Sequence, residues 1–154
     1  MSTVERHKKP GGFRKLVNSL ETTPPDRRKK IMDLMASEDP AFVKDVQASI
    51  FEFEEFALID DMVIAEIIFQ FKTEMKVVAL ALFKAKDEKL LAKFMKNMTG
   101  ATGGRFNEET SMLDKITVGQ QQGARYRMIE KSRELQLQRT VVIKKYNPKY
   151  IDDE

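Results

Sequence analysis

Apolar residues return every three or four positions along most of this chain, so its pattern is helical almost from end to end. Phe13, Leu16, Val17 and Leu20 stand at i, i+3, i+4 and i+7 and give a first helix one apolar face. Gly11-Gly12 reads as the turn before it and Pro24-Pro25 as the break after it. Pro25 suits the first position of a second helix over 25–36, with Ile31, Leu34 and Met35 as its stripe. Asp39-Pro40 is a start signal, an acid at the N-cap followed by proline in the first turn. Phe42, Val43, Val46 and Ile50 mark the buried face that follows.

Phe51 to Ala57 reads as a short aromatic bend. Asp60 is expected to cap a helix repeating through Val63, Ile64, Ile67 and Ile68, and Thr73 to cap one over 74–83. Asp87 is expected to cap a helix over 88–98 buried through Leu91, Phe94, Met95 and Met98. Gly100, Gly103 and Gly104 weaken the start of the next segment, since an interior glycine costs about 1 kcal/mol relative to alanine. Thr117 is expected to cap a long helix reaching about Gln138, with a thin face of Val118, Ala124, Met128 and Leu135 flanked by Tyr126 and Ile129. Arg139 to Ile143 reads as an extended end and Tyr146 to Glu154 as a tail closed by Asp152-Asp153-Glu154. The result is an all-α protein of about eight short helices, suited to a stack of helix pairs.

Composition narrows the chemistry. With 154 residues and 42% hydrophobic content the chain can build a core. No apolar run approaches the roughly 18–20 residues of a membrane span, and residues 1–12 lack the apolar core of a signal peptide. The absence of cysteine excludes disulfides and thiolate chemistry, so a cytoplasmic protein without membrane insertion is expected. His7 is the single histidine and falls in a basic N-terminal tail, where it gives little basis for catalysis or metal binding. Gly100 to Arg105 is glycine-rich but follows no strand and has no Gly-Lys-Ser/Thr, so it reads as a helix break and not as a phosphate loop. Asp60-Asp61 reads as helix-capping acid before paired catalytic carboxylates. Arg27-Arg28-Lys29-Lys30 could bind phosphates or serve as a solvated helix face. No aromatics interleave with it to stack bases, so nucleic acid is not expected as a partner. Most methionines, among them Met32, Met35, Met75, Met95, Met98 and Met112, sit at helical spacing and read as core. No enzyme, cofactor or metal is expected.

Leu91-Ala92-Lys93-Phe94-Met95-Lys96-Asn97-Met98 resembles the "KFFKNM" segment in the C-terminal domain of FliG, the rotor protein of the bacterial flagellar motor. Other marks stand around it in the family's order. Ile50-Phe51-Glu52-Phe53 is similar to the Met-Phe-x-Phe hinge, with Ile50 for Met, a residue stiffer at χ1. Asp60-Asp61 resembles the Asp-Asp opening the next helix, Ala79-Leu80-Ala81-Leu82 the "LALAL" helix, and Val141-Val142-Ile143 the apolar end. Gly11-Gly12-Phe13 with Leu16 to Leu20 looks like the late middle domain, and Glu38-Asp39-Pro40 like an "EDPE" helix start.

The resemblance implies an armadillo-like right-handed helical stack followed by a six-helix FliG C-terminal-type unit. Its expected divisions are a flexible basic tail over 1–10, the end of middle-domain-like helices over 11–49, hinge and armadillo-like unit over 50–84, a motor-proximal unit over 85–143 and a tail over 144–154. It implies stator-facing charges at Lys84, Glu108 and Glu109, with Arg105 as a nearby cation. Two arginine positions of that set fall on Ala101 and Thr117, so an altered or weakened stator contact is expected. Ile50, Phe51 and Phe53 would form the hinge, and Phe13, Leu16, Val17 and Leu20 would offer an apolar face to a partner. The implied partners are FliG or FliM of the rotor, the stator protein MotA, or a second copy. The implied place is the basal body on the cytoplasmic side of the inner membrane. On this resemblance, the FliG N-terminal domain that joins FliF and the "EHPQ" motif that contacts FliM are expected to be missing from this sequence. A regulatory protein-binding module reusing the fold is the competing expectation.

Overall fold

The computed structural model describes residues 4–150, and among these are eight α-helices, three short 3-10 turns and no strand. The all-α expectation holds. The chain divides into two units, one of Met1–Phe51 with Lys144–Glu154 and the other of Glu52–Ile143.

The first unit holds α1 (Gly12–Glu21), α2 (Pro25–Glu38) and α3 (Pro40–Ser49). Gly11 enters α1 at φ 77°, a left-handed conformation that glycine adopts without strain. Gly12 lies so close to the preceding turn that a Cβ there would stand 2.6 Å from the Arg6 carbonyl oxygen. Pro25 takes the first turn of α2, and the Asp39 carboxylate caps α3 by accepting from Phe42 N. α1 and α3 close on a core of Phe13, Val17, Leu20, Phe42 and Val46.

Both ends expected to be tails are part of this core where they are described. Val4 is buried, its N–H donates to Glu38 Oε2 at 3.3 Å, and Glu5–His7 form a 3-10 turn. Lys8 pairs with Asp39 at 2.8 Å. The segment after Lys144 folds back across the unit: Tyr150 stacks on Phe13 at 4.6 Å and meets Phe42 edge-on at 5.3 Å. The Tyr150 hydroxyl donates to Asp45 and the Tyr146 hydroxyl to Asn18, each at 2.7 Å. Aromatic rings with satisfied polar tips are strong packing elements, which is why this segment is fixed instead of loose. Residues 1–3 and the acidic Asp152-Asp153-Glu154 lie outside the described residues.

The second unit holds α4 (Asp61–Gln70), α5 (Met75–Leu82), α6 (Glu88–Lys96), α7 (Gly100–Ser111) and α8 (Val118–Leu137), preceded by the Phe53–Leu58 3-10 turn. α5 is buried through Met75, Val78, Ala79, Ala81 and Leu82 and packs against α7 and α8. Residues 50–84 and 85–143 are therefore not separate bodies, since the helix before residue 84 supplies the core of those after it. The Asp87 carboxylate accepts from Lys89 N and Leu90 N, and the Thr117 hydroxyl from Gln120 N, as their sequence positions predict. Thr73 caps nothing among the described residues, because α5 begins a residue later behind Glu74. Asp60 takes the N-cap position of α4 without a side-chain cap bond.

The buried stripe of α6 differs by one position from its pattern. Leu90 and Phe94 are buried, whereas Leu91 and Met98 are half-buried and Met95 is 47% exposed. Leu90 and Phe94 stand at i and i+4, and the Phe94 ring joins Phe53 and Phe56, which fixes the face the helix turns inward. α7 starts at Gly100 despite its glycines. Thr99 and Thr102 form a reciprocal capping box that satisfies the end they would otherwise weaken.

Candidate interaction surface

The candidate charged residues are set by two elements, α7 and the turn after α5. α7 presents Glu108, exposed, and Glu109, half-buried, and among the described residues neither makes an ion pair. Phe106 anchors the helix inward between Arg105 and these acids. Arg105 is exposed, but one guanidinium N–H is held by the Lys72 carbonyl at 2.9 Å, so part of its hydrogen-bonding capacity is used within the unit. Lys84 lies past the end of α5 in a left-handed conformation at φ 51°, with its ammonium 5.3 Å from the Phe83 ring centre. A non-glycine residue at positive φ is uncommon, so this turn aims its side chain by a specific backbone arrangement. Ala101 is exposed, and Thr117 uses its hydroxyl to cap α8, so neither expected arginine position supplies a charge.

The hinge residues separate. Ile50 and Phe51 are buried in the first unit, where Phe51 N donates to the buried Glu21 carboxylate at 2.7 Å. The Lys144 ammonium donates to the Ile50 carbonyl at 2.8 Å. Phe53 is buried in the second unit, in the aromatic set with Phe56 and Phe94. The unit boundary passes between Phe51 and Glu52. Phe13, Leu16, Val17 and Leu20 are all buried, so they do not form an open partner face. The C-terminal Tyr146 and Tyr150 share their core, a cover that a local hydrophobic pattern cannot reveal.

One charge cluster, centred on Asp61, was not expected. Asp61, in the first turn of α4, is 3.2 Å from Lys93 and 3.1 Å from Lys96, and accepts from Asn97 Nδ2 at 3.1 Å. The signal was present in the sequence as Lys93-x-x-Lys96-Asn97 on one helix and an acid opening another, but only the packing of α4 on α6 joins them. Hydrogen bonds from Asn97 and Lys96 first, then Lys93, hold the Asp61 carboxyl at about 2, below its ordinary 3.8. Because the folded pKa is depressed, its stabilising contribution is present above the ordinary value and lost as pH falls from 3.8 towards 2. Asp61→Asn is expected to flatten that part of the acid-unfolding curve, read by urea denaturation at stepped pH. An acid limb identical to that of the unchanged protein would contradict this linkage.

Among the described residues no group of three His, Cys, Asp or Glu side chains is placed to hold a metal ion, and no helix is long and apolar enough to cross a membrane. His7 lies in the 3-10 turn, where burial first and then Arg6 lower its pKa, and its Nε2 accepts from Arg6 Nε at 3.3 Å.

The FliG C-terminal domain family model matches residues 33–143, which include every helix of the second unit. The chain belongs to the FliG C-terminal domain family. The family is one of motor switch proteins and not of enzymes. The flagellar motor switch protein FliG of Thermotoga maritima is 28% identical over 128 residues, covering 83% of this chain and 36% of that protein. The chain thus spans about a third of the length of this curated relative. Two crystal structures of FliG fragments from H. pylori share the fold. One has a TM-score of 0.57 at 24% identity over 88% of this chain and 58% of the other. The second has a TM-score of 0.62 at 23% identity over 86% and 61%.

Proposed function

We propose that this chain works as a FliG-like component of the bacterial flagellar motor switch, on the cytoplasmic side of the basal body. The observation that carries this reading is the family match over 33–143, reinforced by exposed charges on the helix that follows the Phe94 motif. Its contacts would be with FliG or FliM, through helix packing, and with MotA through Glu108, Glu109 and Lys84. Ile50, Phe51 and Phe53 would form the hinge. Exposed ion pairs contribute only about 0–1 kcal/mol each, so a stator contact needs several together. With alanine and threonine at two family arginine positions, the remaining set is small and more acidic, which favours a weakened contact.

The test is capture of the tagged chain with purified FliG, FliM and the cytoplasmic loop of MotA, followed by swimming assays in the native cell. Binding to at least one rotor protein is expected. Glu108→Lys with Glu109→Lys is expected to cut swimming speed by more than half, while Arg27→Glu with Arg28→Glu leaves it nearly unchanged. The reverse ranking would favour a regulatory module using the basic face of α2. There, Arg28 is already tied to the Leu20 carbonyl at 2.9 Å and Lys29 to Asp33 at 2.7 Å, which leaves less free charge for a ligand.

A further inference from the structure

Helix α4 is apolar on nearly every side, since only Asp61, Glu66 and Gln70 interrupt it. Ile64, Ile67 and Ile68 are buried, as a core helix requires. Met62, Ala65 and Phe69, at i, i+3 and i+7, share a different face, and that face is open: Met62 is 86% exposed and Phe69 53%. A helix that is apolar all round is normally covered all round.

This stripe runs into a cleft of about 510 Å³ within the second unit, between the end of α4 and the start of α7. Ala65, Ile68 and Phe69 form its apolar side, and Lys72, Thr102 and Arg105 its polar side. No carboxylate lines it, so two cations stand at one end of an apolar trough without an acid among its lining residues. The Lys72 ammonium sits 4.1 Å from the Phe69 ring centre, and Arg105 is held by the Lys72 carbonyl, so both cations are positioned at the apolar floor. The N-terminus of α7 adds positive potential on the same side.

We propose that the Met62–Phe69 stripe and its cleft dock an amphipathic helix of a partner protein that carries an acidic residue one turn beyond its apolar positions. The partner's apolar side chains cover Met62 and Phe69 and fill the cleft, and its carboxylate meets Lys72 and Arg105. This is helix-in-groove recognition with the charge setting orientation. A small amphiphilic anion is the poorer fit, because Met62 continues the apolar surface a full turn outside the cleft and would stay uncovered. The proposal goes beyond the motor-switch reading and uses none of Glu108, Glu109 or Lys84.

The test uses a labelled synthetic helix with leucines at i, i+3 and i+7 and a glutamate one turn further, and a sister peptide with lysine there. Fluorescence polarisation with the full chain is expected to show the glutamate peptide binding about tenfold tighter than the lysine peptide. Met62→Glu and Phe69→Ser, both at exposed positions, should weaken it by a similar factor with unchanged circular dichroism melting. Lys72→Glu with Arg105→Glu should reverse the preference in favour of the lysine peptide. Equal binding of the two peptides, or no effect of Phe69→Ser, overturns the proposal. So does decanoate binding without peptide binding, which would assign the cleft to a small anion. Concentration-dependent dimerisation abolished by Met62→Glu would make a second copy the occupant, and would equally overturn it. Each outcome is separable from the motor reading, which stands or falls on capture by rotor proteins.

Discussion

Phe94→Ala is expected to destabilise the second unit by about 3–5 kcal/mol, the range for removing a buried aromatic ring. The ring is fully buried, lies 5.5 Å edge-on from Phe56 and is stacked at 6.3 Å on Phe53. These three side chains join α6 to the 3-10 turn that opens the unit. Truncation therefore leaves a cavity between two elements and removes two aromatic contacts, each contributing about 0.5–1.5 kcal/mol beyond area burial. Met95→Ala supplies the control. As a half-exposed neighbour it should change stability by less than about 1 kcal/mol, although the bare pattern gives it the same buried role. Urea denaturation of both variants decides the matter, because equal losses would mean that the inward face of α6 is the one the pattern predicts. Phe94→Leu should recover part of the loss by refilling some of the volume.

The reason sequence pattern misplaces that face is physical. Leu90, Leu91, Phe94, Met95 and Met98 form an apolar arc wide enough to turn inward on either edge. Partner rings at Phe53 and Phe56, some forty positions earlier, choose between them. Local chemistry was legible wherever one residue satisfies its neighbour's backbone, as with Asp39, Asp87 and Thr117 at their helix starts and Pro25 in a first turn. The Phe94 motif and its flanking marks also carried the family and the all-helical fold. Contacts between distant segments were not legible. Asp61 reads as one acid of a pair until α4 lies on α6, and Tyr150 reads as part of a polar tail until it meets Phe13. The charged candidates show the same limit: the resemblance only proposes their positions, and the tether on Arg105 and the left-handed turn at Lys84 come from the packing alone.

Ending the chain after Ile143 is expected to unfold or greatly weaken the first unit while leaving the second largely intact. Reading the last residues as a tail predicts no effect at all. The segment that would be lost carries Tyr146 and Tyr150, both buried, and the Lys144 ammonium bond to the Ile50 carbonyl. Without it, Phe13 and Phe42, which meet edge-on at 6.0 Å, lose the ring packed against both, and faces of each open to water. Hydrogen exchange should rise in α1 and α3 and hold in α5 and α8, a split that general loss of stability would not give. Point variants separate packing from polarity. Tyr150→Ala should cost about 3 kcal/mol or more, as for other buried aromatics, and Tyr150→Phe about 1 kcal/mol for the bond to Asp45. Burial, and then the bond to Asp45, push the Tyr150 hydroxyl up to about 12 from its ordinary 10.0. A raised folded-state pKa means that its contribution is complete below 10.0 and fades as pH climbs towards 12. The unchanged protein should lose stability across that alkaline window, and Tyr150→Phe should lose less of it. If truncation leaves exchange in α1 and α3 as slow as before, the contact between Tyr150 and Phe13 does not hold that unit together.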